Sequence, residues 1–212
     1  MIAWSLAAFG ACESVAAVVV AIPPEAERGS SSHHPDIRQV VPDDGSTICV
    51  AGGATRAESV SNALARVETD LVAVHDAARP LITPELVEGV VAALEAEPGA
   101  AAAIAAAAIA DTVKRSTSMK GTAAVPFMEV VEATLDRSEL WAAQTPQVFR
   151  TEALRAALPV DEAMRDAATD EAMLIEAAGG IVLLHEVSGP NLKVTTRDDL
   201  RVAELLLQER LA

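Results

Sequence analysis

Charged side chains follow a short apolar run in the stretch LVAVHDAARP, residues 71–80. The run has no polar alternation, as expected of a strand that a parallel sheet buries on both faces. Asp76 can contact a substrate hydroxyl or a Mg²⁺ ion, and Arg79 can bind a phosphate through two parallel hydrogen bonds. Because Pro80 cannot donate to a ladder, we expect both side chains at the carboxyl end of a strand, where open α/β sheets bind ligands.

A cation near the C-terminus suits the same chemistry. Lys193 stands in NLKVTT, residues 191–196, where a short strand over 192–195 is predicted. A lysine is a mobile point charge, which suits the negative charge that grows on a phosphorus atom under attack. Taken alone, each residue also has a structural interpretation: a helix cap for Asp76, an ion pair for Arg79 and a solvated surface position for Lys193.

The stretch GGATRAES, residues 52–59, places two glycines and a serine just before and within a predicted helix. Gly52 and Gly53 have no side chain, so a ligand can approach their backbone closely. Ser59 can hydrogen-bond to the hydroxyls or the base of a nucleoside. A turn that allows close approach of a ligand is therefore predicted here.

Two threonines are predicted to cap helices. Thr83 stands before Pro84, a residue favoured in the first turn of a helix. Thr169 stands before Asp170 and Glu171, and it is predicted to be the N-cap of a helix within 168–180. The hydroxyl of Thr169 can serve the cap alone or also reach a substrate.

Length, charge and cysteine content limit the classes of function. At 212 residues, the chain suits a single domain over 1–212 with a full hydrophobic core. A net charge of −15 argues against nucleic acids and anionic membranes as partners, because binding to phosphates needs clustered cations. Cys12 and Cys49 follow no metal-ligand spacing and are predicted to be buried small side chains in a reducing cytosol. The alanine- and valine-rich stretches 1–24 and 99–110 fit neither a signal peptide nor a bilayer span, so a soluble cytoplasmic protein is expected.

The order of elements is typical of an α/β fold. Runs of strand length alternate with segments of helical periodicity, which predicts a mostly parallel sheet with right-handed crossovers. Strands are predicted at 15–24, 37–41, 47–53, 71–75, 100–107 and 181–187. Helices are predicted within 3–12, 55–67, from 83 onward, at 151–157, within 168–180 and after 195.

The alanine-rich stretch sets two rules against each other. Alanine has the highest helix propensity, which alone would predict a helix at 100–107. However, Pro98 and Gly99 have just ended one helix, and the alternation requires a strand next. We therefore predict a buried strand whose small side chains admit close helix packing.

The segment 111–136 interrupts the alternation. It is predicted to form the two arms of an extended antiparallel excursion around a Ser/Gly turn. It contains apolar residues but no core of its own, and such an excursion often packs on another subunit. We therefore predict a dimerisation arm in a twofold-symmetric dimer.

Five motifs in this order make a specific resemblance possible: GGATRAESV, VHDAARP, WAAQTPQVF, TDEA and NLKVTT. Together they resemble the 2-C-methyl-D-erythritol 4-phosphate cytidylyltransferase family, from about residue 3 to the C-terminus. The resemblance implies a Rossmann-like nucleotidyltransferase fold, a homodimer joined by extended arms and Mg²⁺ as cofactor. It also implies a reaction of CTP with methylerythritol 4-phosphate that gives CDP-methylerythritol and pyrophosphate.

The resemblance implies roles for individual residues. Lys193 would stabilise charge in the transition state, and Asp76 is a possible metal ligand, although no confident set of metal ligands emerges. Arg79 and Thr134 would reach the site of the partner subunit. Substrate contacts are implied for Asp76, Arg79, Thr134, Thr169 and Lys193, and nucleotide contacts for Gly52, Gly53, Ser59 and Asp76.

Other polar residues are assigned less directly. Arg155 and Arg165 are both candidates for a further contact to the substrate phosphate. Gln144, Thr145 and Gln147 are expected to hold the fold of a strand end rather than to touch a substrate.

The N-terminus departs from the pattern of the family. Members begin with a strand and a Gly-rich loop that carries an arginine and a lysine and wraps the phosphates of CTP. This chain opens at MIAWSLAAFGACESV, which matches the helix after that loop. We therefore expect that the first strand and its loop are missing, that the chain as written is nearly inactive and poorly soluble, and that Met1 is an internal methionine. Two alternatives stay open: a cytidylyltransferase for ribitol 5-phosphate or another polyol phosphate, and a catalytically impaired remnant.

Overall fold

The computed structural model describes residues 1–22, 41, 45–120, 127–158 and 168–211. Its strands are β1 (Val18–Ile22), β2 (Thr47–Ala51), β3 (Leu71–Val74), β4 (Ala102–Ala108), β5 (Lys114–Lys120), β6 (Phe127–Thr134), β7 (Trp141–Arg150) and β8 (Val182–Glu186). Its α-helices are α1 (Ile2–Gly10), α2 (Arg56–Leu64), α3 (Pro84–Ala96), α4 (Thr151–Ala157), α5 (Glu171–Ala177) and α6 (Arg197–Leu211). The strand predicted at 37–41 lies outside the described residues except for Val41.

The largest sheet has four strands in the order β3-β7-β4-β8. Strand β7 runs antiparallel to both β3 and β4, whereas β4 and β8 are parallel. Three of the four strands therefore share one direction, but two of the three strand pairings in this sheet are antiparallel, so the α/β fold is confirmed and the sheet is mixed. The ten-residue interior strand β7, which opposes them, is a feature that the alternation of elements did not predict.

The alanine-rich stretch forms the buried strand β4, as predicted. Successive alanines alternate between the two faces of the sheet. Ala102 packs in a cluster with Leu174 of α5, and Ala103 packs in another cluster with Leu94 of α3. Small side chains at these positions let helices approach both faces, and β7 and β8 supply ladder partners on both edges. Tertiary pairing thus overrides the helix propensity of alanine.

A second, two-stranded sheet pairs β1 and β2 in parallel. Within the described residues, β1 has no other strand partner, and β3 pairs with β7 alone. Val18 of β1 and Ala73 of β3 nevertheless pack against the same apolar cluster, which includes Phe9 of α1 and Val87 of α3. Both strands line one cavity of about 1210 Å³. The expectation of a missing first strand stays a prediction, since the structure shows only that β1 and β3 do not pair.

The segment from β5 to β6 is an antiparallel ribbon, as predicted for the arm. Every residue of β5 is exposed, and β6 is exposed at most positions. Phe127 and Val131 are 73% and 63% exposed, so the single chain leaves these apolar side chains without cover. The role of the ribbon as a dimerisation arm stays a prediction.

Two predictions of local backbone structure were wrong. The N-cap of α5 is Asp170, whose carboxylate accepts from the N–H of Met173 at 3.1 Å, so Thr169 lies one residue before the cap. Both residue types cap helices well, and the pattern could not choose between them. Residues 192–195 do not form a strand among the described elements, and the backbone of Val194 donates to Ala78 instead.

The remaining expectations divide. Thr83 caps α3 as predicted, by accepting from the N–H of Leu86 at 3.3 Å. Cys12 is buried as predicted, but Cys49 is exposed because it lies in the partly covered two-stranded sheet. Within the described parts of the chain, no helix is both long and apolar enough to cross a membrane.

Candidate active site

The turn after β3 is fixed by the side chains of His75 and Thr145. The Thr145 hydroxyl accepts from the Asp76 N–H at 3.1 Å and lies 3.0 Å from His75 Nδ1, to which it can donate. His75 Nε2 lies 3.3 Å from the carbonyl oxygen of Arg79 and is therefore assigned the ring proton. Burial lowers the pKa of His75 to about 4, so the ring is neutral at pH 7. These hydrogen bonds hold Asp76 and Arg79 in one turn.

Asp76 lies between two cations. Lys193 Nζ is 2.8 Å from Asp76 Oδ2, and Arg56 Nε is 3.2 Å from Asp76 Oδ1. Burial alone would raise the pKa of Asp76, but the hydrogen bond from Lys193 and the charges of both cations lower it below its usual value. The structure therefore brings together Asp76 and Lys193, which the sequence predicted separately.

The segment that carries Lys193 is anchored by Asn191. The buried Asn191 amide donates to Gln144 Oε1 and to the carbonyl oxygen of Thr145, both at 2.9 Å. Arg79 Nη1 donates to the carbonyl oxygen of Asn191 at 2.7 Å. Thr145, in the middle of β7, thus holds the end of β3, and together with Gln144 it fixes the loop two residues before Lys193. Arg79 serves this anchor within its own chain.

The turn at 52–59, predicted to bind a nucleotide, borders the cavity that Asp76 and Lys193 line. Its lining residues there are Arg56 and Ser59. Ser59 Oγ accepts from the Gly53 N–H at 3.0 Å and donates to the carbonyl oxygen of Thr55 at 3.0 Å. A Cβ atom at Gly53 would lie 2.1 Å from the Cβ of Glu58, so no larger residue fits. The glycine is therefore required by the fold of the turn itself, independently of any ligand.

Arg56 and Glu171 are site residues that the sequence analysis missed. Arg56 Nη1 donates to both carboxylate oxygens of Glu171, at 2.6 and 2.7 Å, while its Nε reaches Asp76. Burial alone would lower the pKa of Arg56, but Glu171 first and Asp76 second raise it above its usual value. The sequence contained one signal. A positive charge in the first turn of a helix is unfavourable with respect to the helix dipole, so an arginine at position 56 indicates a compensating anionic partner.

Other predicted residues lie apart from this cluster. The Thr134 hydroxyl accepts from Lys114 Nζ on the exposed ribbon at 2.7 Å. The Thr169 hydroxyl is exposed and donates to the sulfur of Met173 at 3.2 Å. Arg155 pairs with Glu152, its neighbour on α4, and donates to the carbonyl oxygen of Val67. Arg165 lies outside the described residues.

Comparisons of sequence support a family relationship. A profile of the family described as IspD, 2-C-methyl-D-erythritol 4-phosphate cytidylyltransferase, matches residues 1–209. The enzyme of that name from Symbiobacterium thermophilum is 39% identical over 204 residues, which cover 95% of this chain and 78% of the relative. The bifunctional enzyme IspD/IspF of Anaeromyxobacter dehalogenans is 42% identical over 202 residues, and the chain spans about half of its length (48%).

Solved structures show the same architecture. The crystal structure of 2-C-methyl-D-erythritol 4-phosphate cytidylyltransferase from Thermus thermophilus superposes with a TM-score of 0.72 at 31% identity, over 97% of this chain and 87% of that chain. The crystal structure of a 4-diphosphocytidyl-2C-methyl-D-erythritol synthase gives a TM-score of 0.74 at 33% identity, over 97% and 89% of the two chains.

The α/β fold, with a cation-flanked carboxylate at the end of one strand, matches these structures and is that of a nucleotidyltransferase. The profile match and the relatives allow a narrower statement. The chain belongs to the 2-C-methyl-D-erythritol 4-phosphate cytidylyltransferase family.

Proposed function

We propose that the chain transfers a cytidylyl group from CTP to 2-C-methyl-D-erythritol 4-phosphate. The observation that carries the proposal is the Asp76 carboxylate, held between Lys193 and Arg56 beside the turn 52–59. In the reaction, a phosphate oxygen of the polyol attacks the α-phosphorus of CTP. The bond from that phosphorus to the bridging oxygen of the β-phosphate breaks, and pyrophosphate leaves. No covalent enzyme intermediate is required.

The two reacting groups are both anions, so the site must position them and offset their charge. We assign the catalytic role to Lys193, whose ammonium can move from Asp76 to the growing charge on the phosphorus. Asp76 contacts a substrate hydroxyl or the metal ion once Lys193 has left it. Gly52, Gly53 and Ser59 bind the nucleotide, whereas Thr169 binds the polyol phosphate.

A divalent metal ion fits the site in one way. Mg²⁺ is commonly held by one or two carboxylates together with substrate phosphates and waters. Asp76 offers one such carboxylate, whereas Glu171 is occupied by Arg56. The described residues contain no group of three or more His, Cys, Asp or Glu side chains that could hold an ion. We therefore propose that Mg²⁺ binds together with CTP, where it would neutralise phosphate charge.

The direct test measures pyrophosphate release with CTP and Mg²⁺ and compares two acceptors. Methylerythritol 4-phosphate should support turnover, and ribitol 5-phosphate should not. Turnover with ribitol 5-phosphate alone would establish the alternative substrate class. Absence of turnover with both would favour the catalytically impaired alternative. Because CTP is a cytoplasmic metabolite, the cytoplasm is the proposed location.

A homodimer belongs to the proposal. The uncovered apolar side chains of the β5–β6 ribbon support an interface between two copies, with Phe127 and Val131 at its centre. The ribbon carries Thr134 at its end, so the same interface could bring Thr134 and Arg79 to the site of the other subunit. In this arrangement Arg79 leaves the Asn191 carbonyl oxygen of its own chain, and each site combines Lys193 of one subunit with Arg79 of its partner.

Subunit mixing tests the shared site. Arg79→Ala and Lys193→Ala proteins should each be nearly inactive alone. After exchange, heterodimers should hold one intact site each, which gives about a quarter of the wild-type activity for random pairing in a twofold dimer. A mixture of Asp76→Ala and Lys193→Ala proteins is the matched control: Asp76 and Lys193 contact each other within one chain, so heterodimers of these two variants should regain no intact site. Failure to regain activity above the inactive parents would contradict the shared site.

A further inference from the structure

The pair of Arg56 and Glu171 has no direct role in the proposed reaction. The side chain of Glu171 is only 3% exposed, and Arg56 is its ion-pair partner among the described residues. A buried carboxylate is strongly unfavourable unless it is paired and hydrogen-bonded. Arg56 is therefore committed to Glu171 whatever else it contacts.

Arg56 also contacts Asp76, but at a longer distance. Its Nε lies 3.2 Å from Asp76 Oδ1, compared with 2.6 Å from its Nη1 to Glu171 Oε1. One guanidinium can make both contacts because its donors are arranged as a rigid planar fork. Arg56, at the start of α2, thus contacts the start of α5 through Glu171 and the turn after β3 through Asp76.

We infer that Arg56 is a positioning residue for Asp76, and that Glu171 limits how strongly Arg56 engages it. Because Arg56 shares its charge between two carboxylates, Asp76 is oriented without being fully neutralised and stays free to turn to a metal ion. The inference rests on the proposed function, in which Asp76 contacts the metal ion or a substrate. It adds that the buried acid Glu171 sets the strength of that contact from a distance.

Two substitutions should shift the Mg²⁺ requirement in opposite directions. In Glu171→Gln, Arg56 loses its second anion and pairs with Asp76 alone. The half-saturating Mg²⁺ concentration should then rise about 10- to 100-fold, the size seen when outer partners of metal ligands are removed. In Arg56→Gln, Asp76 loses a competing cation, so the Mg²⁺ requirement should fall while kcat also falls, because the carboxylate is no longer oriented.

The measurements are turnover at varied Mg²⁺, thermal denaturation, and calorimetric titration of CTP at varied Mg²⁺. The calorimetric titration needs no turnover. If the wild-type protein fails to turn over but the two variants shift Mg²⁺-dependent CTP binding in opposite directions, the proposed function fails and the positioning role stands. Glu152→Gln is the matched control, since it makes the same chemical change in the exposed pair with Arg155 and should leave all three measurements unchanged.

A purely structural ion pair would behave differently. It would lower the melting temperature in both variants and leave the Mg²⁺ dependence unchanged, and that result would overturn the inference. If Glu171→Gln does not fold, Arg56→Lys decides the matter. A lysine keeps the charge near Glu171 but lacks the fork that reaches Asp76, so kcat should fall about tenfold or more at a near-normal melting temperature. Unchanged kcat and Mg²⁺ dependence in Arg56→Lys would equally overturn it.

Discussion

The four-stranded sheet and the β1–β2 sheet differ in how completely their strands are covered. Strand β4 is buried from Ala102 to Ala106, although its sequence AAIAAAA consists mainly of small side chains. Strand β1, with the more apolar sequence VVVAI, is only partly buried. The reason is the neighbours: β4 has strands on both edges and helices on both faces, whereas one edge of β1 borders the cavity. Burial in this protein follows from pairing rather than from the hydrophobicity of a strand.

The same division runs through the candidate site. The four-stranded sheet positions Asp76 after β3 and anchors the segment of Lys193 through the middle of β7. The two-stranded sheet is followed by the turn that carries Gly53 and Ser59. We therefore expect the well-covered sheet to control the chemical step and the partly covered sheet to control nucleotide binding.

The largest expected effect is on the free energy of unfolding, and it is seen by comparing substitutions of two buried leucines. Leu94 is fully buried between α3 and the four-stranded sheet, whereas Leu6 of α1 lines the cavity. Leu94→Ala should lower the free energy of unfolding by about 4–5 kcal/mol, and Leu6→Ala by about 2–3 kcal/mol, because Leu→Ala costs depend on the new cavity that is created. Urea denaturation of both variants provides the measurement. Equal losses would show that the two regions are packed alike.

Lys193→Ala should affect the chemical step. If Lys193 offsets charge in the transition state, its loss should raise the activation free energy by about 2.7–4 kcal/mol. The raised barrier lowers kcat, with little change in KM. Steady-state kinetics in both substrates would show this. Arg201→Ala, in an exposed ion pair with Asp198 on α6, is the control, and a near-normal kcat for Lys193→Ala would return Lys193 to a surface role.

His75 lies between helix α1 and the four-stranded sheet, and it should make the stability of the protein sensitive to acid. Its ring packs edge-on against Phe9 of α1 at 5.4 Å and hydrogen-bonds to Thr145 of β7. Folding lowers the pKa of His75 from 6.5 to about 4, so folding favours the neutral ring. Its contribution to stability, on the order of 3 kcal/mol, is therefore complete above pH 6.5 and is lost as the pH falls towards 4.

Unfolding free energies of wild-type and His75→Gln proteins between pH 7 and pH 4 would isolate this contribution. The difference between the two proteins should shrink as the pH falls, because glutamine does not titrate. A difference that is constant with pH would show that burial of His75 does not couple to protonation.

Ser59→Ala should have the smallest effect of these substitutions, and it should weaken nucleotide binding rather than slow the chemical step. Loss of one neutral hydrogen bond to the nucleotide should raise KM for CTP by about 0.5–1.5 kcal/mol in binding free energy, with kcat nearly unchanged. Ser61→Ala, on the same helix, serves as the control. A fall in kcat without a change in KM would contradict the division of labour between the two sheets.

The fold could be predicted from the sequence where local and tertiary preferences agree. The strand at β3, the capped helix α3 and the alanine strand β4 were all predicted within a few residues. The antiparallel course of β7 was not, because its direction depends on pairing with β3 and β4 rather than on its own residues. The exposure of Cys49 has the same cause, since the cover of β2 depends on strands elsewhere in the chain.

The candidate site was predicted in part. Asp76 and Lys193 were identified from their residue types and motifs, and the structure shows them in contact. The third and fourth members, Arg56 and Glu171, are 115 positions apart, and their pairing leaves no periodic trace in the sequence. Charges that are buried by distant partners are the part of a site that patterns alone do not reveal.

The long-range pairing of the four-stranded sheet has a consequence for the order of folding. Leu71 faces Arg150 and Ala102 faces Val182, whereas Val18 faces Thr47. Closing longer loops costs more entropy, so the β1–β2 pair and the β5–β6 ribbon should form before the sheet that later buries most of the core. During synthesis from the N-terminus, the ion pair between Asp76 and Lys193 can form only after residue 193 has been synthesised. The catalytic centre is thus expected to assemble late in the biogenesis of the protein.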